Sequence, residues 1–252
     1  MSEKNLSGKV ALITGASKGL GKSMALALGR AGARLILASR NFELLQTVAK
    51  EAQDSGAEAF CFETDVTSEE QVQNLAQTVV RQFGQIQILI NNAGMNIRKP
   101  VTEFTLAEWH QVIDTNLTSV FLMCRAFVPL MKGQSYGRIL NMTSIMSHVA
   151  IAGRTAYAAS KSALLGFTKA LALELAPDKI TVNGISPGVY ATELNKPLLE
   201  NPEVRQQFFS RIPLARWGNP EEVGALAVYL CSEEAGFITG TDIVMDGGWT
   251  AQ

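Results

Sequence analysis

Seven short runs recur along this sequence, each rich in apolar and β-branched residues, and most are followed by a stretch with helical spacing. They are KVALIT (9–14), RLILAS (34–39), AEAFCFE (57–63), IQILIN (86–91), GRILNMT (137–143), ITVNGIS (180–186) and TDIVMD (241–246). Most are continuously apolar rather than alternating, as strands buried on both faces should be. Between them lie helical patterns such as 21–32, 41–53, 69–84 and 168–176. The alternation is that of a parallel sheet covered by helices on both sides. A closed eightfold barrel shares it. Seven runs rather than eight, with glycines gathered directly after the first, predict instead an α/β, single-domain, doubly wound Rossmann fold over 1–252, with a mostly parallel sheet. Ligands of such sheets sit beyond the carboxyl ends of the strands, where strand order reverses.

The chain's 252 residues carry 22 basic and 23 acidic side chains spread along its length, a net charge of −1. That balance provides no electrostatic footprint for nucleic acid or an anionic membrane, so the expected partners are small molecules or further copies of the chain. Cys61, Cys124 and Cys231 are odd in number, far apart and without C-x-x-C spacing, which suggests neither a disulfide framework nor a zinc site. The only histidines, His110 and His148, form no metal pair. No signal-peptide pattern or membrane span is read, and the expected location is cytoplasmic.

The first turn, TGASKGLG (14–21), spaces Gly15, Gly19 and Gly21 as G-x-x-x-G-x-G. Glycines there permit a tight turn and close backbone approach, and the following helix start offers unpaired N–H groups to a pyrophosphate. Two near-matches fail. Ala16 stands where a P-loop beginning at that point needs its first glycine. In Gly184-Ile185-Ser186-Pro187-Gly188 the residue after the serine is a proline, which has no N–H to give an oxyanion hole.

Tyr157 and Lys161 stand four residues apart in an Ala-rich helical stretch, TAYAASKSAL, which stacks them on one face. With the glycine turn, Asn91-Asn92-Ala93-Gly94 after the fourth strand and Ser144 after the fifth, the chain resembles the short-chain dehydrogenase/reductase family along nearly its whole length. The resemblance implies an enzyme interconverting a secondary alcohol and a ketone by hydride transfer. Tyr157 is then the acid/base, Lys161 its neighbour, Ser144 the residue that holds the substrate oxygen, and Asn116 the fourth member. It further implies cofactor contacts from Gly15, Ser17, Lys18, Gly19, Leu20 and Gly21 in the turn, from Ser39 and Arg40, and from Asp65 and Val66 near the adenine. Asn92, Ala93 and Gly94 follow, then Tyr157 and Lys161 themselves, Pro187, Gly188 and Val189 near the nicotinamide, and Thr192 on its carboxamide. A phenol of pKa ~10 needs a drop of about 2 to 3 units to act as a base near neutrality, and an ammonium at ~4 Å with an effective dielectric of ~20 supplies about 4 kcal/mol.

The second strand ends LASRN, with Ser39 where an acid would bind the ribose hydroxyls of NAD(H) and Arg40 beside it. An arginine suits a 2′-phosphate, so NADP(H) is the expected cofactor and NAD(H) the alternative. The stretches NNAGMNIRKP, RIPLARWGNPEEV and VMDGGWT make the chain look like the gluconate 5-dehydrogenase branch, among sugar-acid, sugar and polyol reductases; 3-oxoacyl carrier-protein reductase is the competing branch, with a general carbonyl reductase the other alternative. Arg98, Met146, His148, Arg154 and Tyr190 are the candidate substrate residues. A non-catalytic nucleotide-sensing module is the alternative of another class. A helical insertion within about 189–213 is read as a substrate lid. The helix NLTSVFLMCRAFVPLM is apolar almost all round, and by the resemblance a homotetramer is expected through it and the Tyr157 helix, with a dimer the alternative.

Overall fold

The computed structural model describes residues 5–192 and 202–252. Its strands are β1 (Val10–Thr14), β2 (Arg34–Ser39), β3 (Ala59–Glu63), β4 (Ile88–Asn91), β5 (Gly137–Met142), β6 (Ile180–Pro187) and β7 (Asp242–Met245). They form one sheet of order β3-β2-β1-β4-β5-β6-β7, and every pairing is parallel. The order turns back at β1, which pairs with β2 on one side and β4 on the other. Loops leaving β1 and β4 therefore diverge and open a crevice at the strands' carboxyl ends.

The helices are α1 (Gly19–Arg30), α2 (Phe42–Asp54), α3 (Glu69–Phe83), α4 (Leu106–Ile113), α5 (Ser119–Phe127), α6 (Thr155–Leu175), α7 (Pro202–Phe209) and α8 (Pro220–Leu230). Strand side chains divide by their period of two. Ala11 and Ile13 join one core with Met24 and Leu28 of α1, Leu45 of α2 and Val223 and Leu230 of α8. Val10 and Leu12 join the other with Val72 and Leu75 of α3, Phe127 of α5 and Leu164 of α6. Each fully buried aliphatic side chain is worth roughly 1.5–3 kcal/mol, so the two cores hold the sheet from both faces. Helix α8 lies tight against α1, because a Cβ on Gly224 would come 2.9 Å from Ala27 Cβ.

Two differences from the sequence reading matter for the site. The stretch 168–176 is the end of a single 21-residue helix that already includes Tyr157 and Lys161. Between α4 and α5 the chain widens into a π-turn at Asp114–Thr118 that carries Asn116. Of the predicted lid, residues 193–201 lie outside the described residues, while Pro202–Phe209 is helical. No described helix is long and apolar enough to cross a membrane.

Candidate active site

The crevice holds a cavity of about 540 Å³ running from the glycine turn to the start of α6. At its first end the β1–α1 turn is shaped by Gly15 and Gly19, both left-handed (φ 63° and 58°). Gly21 leaves no room for a side chain, since a Cβ there would lie 2.4 Å from both Gly15 O and Asn92 Nδ2. Asn92 fastens the turn, its Nδ2 donating to Thr14 O (2.9 Å) and Gly15 O (3.1 Å). Thr14 Oγ1 in return accepts from the backbone of Asn92 and Ala93. Helix α1 has no acidic residue in its first turn, which leaves the positive end of its dipole free to face an anion.

Ser17, Lys18, Leu20, Ser39, Arg40, Asp65 and Val66 line the same end. Ser39 donates to Ser17 (3.0 Å), and among the described residues neither Lys18 nor Arg40 has an acidic partner. Asp65 accepts from the Thr67 backbone N–H (2.9 Å) and hydroxyl (2.7 Å), so its carboxylate closes a turn while lining the cavity. A glycine-floored groove with two free cations at one end and an uncapped helix start suits a phosphorylated dinucleotide.

The other end is built from β5, α6 and the β4 loop. Ser144 follows β5 and caps a short helical turn, accepting from Met146 N (3.1 Å). Its hydroxyl and the Tyr157 phenol line the same end of the cavity, one turn from Lys161 on α6, and Ser144 favours the ionised form of the phenol. Lys161 Nζ sits 5.8 Å from the Tyr157 ring centre and donates to Met142 O (2.5 Å). Burial draws this ammonium down to about 8 from 10.5. Burial also pushes the Tyr157 phenol up, and the Ser144 hydrogen bond, Arg154 and Arg98 oppose that rise. Arg154 and Arg98 thus add positive charge beside the phenol, while the Lys161 ammonium is held near the ring by its bond to the Met142 carbonyl. Arg154 is itself drawn down by burial and by Arg98, so two guanidinium groups repel each other beside the phenol with no acidic partner among the described residues.

Of the residues singled out in the sequence, the cavity gathers Gly94, Arg98, Met146, Arg154, Pro187, Gly188, Val189, Tyr190 and Thr192 with those above. Two stand elsewhere. Asn116 is fully buried behind the wall; it accepts from Met95 N (2.8 Å) and donates to Met95 O (2.9 Å) and Ser160 Oγ (3.0 Å). It thus braces the β4 loop rather than facing the cavity. His148 turns away to Asp242 (2.7 Å) because a largely buried carboxylate lies in that direction. Several lining residues escaped the sequence reading, and three of them bear on what the cavity could hold. Phe208 and Trp249 form an aromatic wall with ring centres 5.8 Å apart, and Asn96 Oδ1 is buried with no donor against it among the described residues. The aromatics arrive from distant segments and carry no local signal; Asn96 lies inside the NNAGMNIRKP stretch that carries the resemblance.

This fold and site define a short-chain dehydrogenase/reductase. A family model described as enoyl-(acyl carrier protein) reductase, of the short-chain dehydrogenase group, matches residues 15–250, and the chain belongs to that family of oxidoreductases. It is 37% identical over 247 residues to 3-oxoacyl-(acyl-carrier-protein) reductase of Aquifex aeolicus, covering 98% of this chain and 99% of that one. It is 36% identical over 244 residues to 5-keto-D-gluconate 5-reductase of Escherichia coli, covering 97% and 96%. Gluconate 5-dehydrogenase of Burkholderia cenocepacia, solved with NADP and tartrate, superposes with a TM-score of 0.94 at 34% identity, covering 99% of this chain and 98% of that one.

Proposed function

We propose that this chain is an NADP(H)-dependent enzyme interconverting a secondary alcohol and a ketone on a hydroxylated carboxylic acid, of the gluconate and 5-ketogluconate type. The observation that carries the substrate class is the pair Arg98 and Arg154, two cations with no acidic partner among the described residues, both acting on Tyr157. A substrate carboxylate relieves their mutual repulsion, and charge-assisted hydrogen bonds of this kind are worth about 1.5–3 kcal/mol. The orphaned Asn96 acceptor suits a substrate hydroxyl, and the Phe208–Trp249 wall suits the C–H face of a carbon chain. A solved relative carries NADP and the dicarboxylate tartrate, which favours the same class over an acyl thioester.

When bound, the nicotinamide supplies or accepts the hydride. Lys18 and Arg40 would hold the 2′-phosphate, the α1 start the pyrophosphate, and Thr192 the nicotinamide end. Tyr157 passes a proton to the substrate oxygen in the reducing direction and removes it in the other. Ser144 donates to that oxygen as charge develops on it. Lys161 and Asn116 keep the α6 start and the β4 loop in register behind them. Helix α7, with Phe208 on the cavity, belongs to the segment that closes over the substrate. The outward Phe121 of α5 and Leu173 of α6, 46% and 79% exposed, suit burial against further copies in a homotetramer.

The test is NADPH oxidation with 5-keto-D-gluconate and with an acetoacetyl thioester. The sugar acid should turn over with at least tenfold higher kcat/KM; the reverse ranking would move the chain to the acyl branch. Arg40→Asp should reverse the ratio of kcat/KM for the two nicotinamides, and an unchanged ratio would remove Arg40 from cofactor choice.

A further inference from the structure

Behind the Ser144 wall lies a largely buried carboxylate that the reaction above does not use. Asp242 opens the edge strand β7, and its side chain is only 10% exposed. Thr143 Oγ1 donates to its Oδ1 (2.5 Å), and His148 Nε2 lies 2.7 Å from its Oδ2. Ser186 Oγ is 2.5 Å from the same Oδ2 and 3.0 Å from the Ser144 carbonyl. Ser186 is fully buried and Thr143 nearly so. An ionised carboxylate only accepts, so Nε2 is assigned the proton that it donates to Asp242, with Ser186 Oγ 3.3 Å from the same nitrogen. The single Ser186 proton is then shared between Asp242 and the Ser144 carbonyl. The chain also keeps space for this group: a Cβ on Gly184 of β6 would lie 2.0 Å from Asp242 Oδ1. Among the described residues no lysine or arginine offsets the charge, so removing it from water is repaid by hydroxyl and imidazole donors alone.

These contacts join three elements to one point. Thr143 and Ser144 directly follow β5, Ser186 is the last residue but one of β6, and His148 terminates the turn that Ser144 caps. We propose that Asp242, with His148 and Ser186, is a positioning residue for Ser144: it clamps both ends of the Ser144 turn so that the hydroxyl stays on Tyr157. The proposal rests on the Ser144–Tyr157 pairing described above, and not on which ketone is reduced.

The sign of one titration separates this role from simple electrostatics. Removing a nearby negative charge lowers the pKa of a phenol, whereas losing the Ser144 hydrogen bond raises it. The full-length chain labelled with 3-fluorotyrosine allows Tyr157 to be followed by fluorine NMR, its resonance assigned by its loss in Tyr157→Phe. In Asp242→Asn and His148→Leu the Tyr157 midpoint should move to higher pH. His148→Gln, whose amide can donate to Asp242 in place of the ring, should keep the wild-type midpoint. On 5-keto-D-gluconate the first two should lose roughly 10- to 100-fold in kcat with the Kd for NADPH unchanged, as displaced catalytic groups do. A midpoint that stays, or that falls in Asp242→Asn, overturns the proposal; so does His148→Gln behaving like His148→Leu. Should Asp242→Asn fail to fold, the two His148 variants at that half-exposed ring decide alone. Should the wild type leave 5-keto-D-gluconate untouched, the sugar-acid reading fails while the fluorine titration still judges the clamp.

Discussion

The two ends of the cavity are built by different means. At the glycine turn the wall is one continuous segment, Gly15–Gly21, stitched to the β4 loop by Asn92 and Thr14 and closed to side chains by backbone contacts. At the substrate end, Arg98, Arg154, Phe208 and Trp249 come from four separate stretches and meet only through the fold. The first end is held by backbone contacts with the exposed cations Lys18 and Arg40 beside it, which suits phosphate. The second presents side chains whose identity is free to change without disturbing the sheet. The contrast explains how one scaffold keeps a cofactor while substrates vary.

Replacing Tyr157 by Phe should have the largest effect, since it removes the group proposed to pass the proton at the junction of the two ends. We expect kcat to fall by roughly 10²- to 10⁴-fold with little change in NADPH affinity measured by fluorescence. Next is Gly21→Ala, whose methyl group has only the 2.4 Å gaps to Gly15 O and Asn92 Nδ2. Cofactor Kd should rise by about tenfold or more while stability at the substrate end is kept; normal binding would show that the turn is less rigid than its contacts indicate.

Lys161→Met sharpens the comparison through pH. Burial lowers the Lys161 pKa from 10.5 to about 8, so the unfolded chain binds that proton more firmly and folding stability rises as pH climbs between those values. Below about 8 the buried charge costs about 3 kcal/mol. The variant should therefore be more stable than wild type at pH 7, by thermal denaturation, with the advantage fading toward pH 10, and it should lose turnover. Smallest is Trp249→Ala, which removes half of the aromatic wall. KM for the sugar acid should rise about 3- to 10-fold, with kcat and cofactor Kd unchanged, matching an aromatic contact of about 0.5–1.5 kcal/mol.

The same division governs what could be read from the sequence. All seven strands, their parallel arrangement and the glycine turn were legible, because hydrophobic runs and glycine spacing are local signals. Tyr157 and Lys161 were legible as an i, i+4 pair, yet not the partner of the lysine, since Met142 O is brought to it by β5. Helices α4 and α8 carry their own local signals, the capping boxes Thr105 with Glu108 and Asn219 with Glu222. The turn of His148 toward Asp242, 94 residues away, and the Phe208–Trp249 wall depend on tertiary contacts alone. The apolar helix expected to need a partner is largely buried within its own subunit, with Phe121 and Arg125 left outward.

The most direct measurement compares kcat/KM for NADPH-linked reduction of 5-keto-D-gluconate with that of an uncharged ketose of equal length, in wild type and in Arg98→Ala/Arg154→Ala. Wild type should favour the acid by roughly 10- to 150-fold, the free-energy equivalent of one charge-assisted contact, and the double variant should treat the two alike. Equal rates on both substrates in the wild type, or a preference that survives loss of both arginines, would contradict the account.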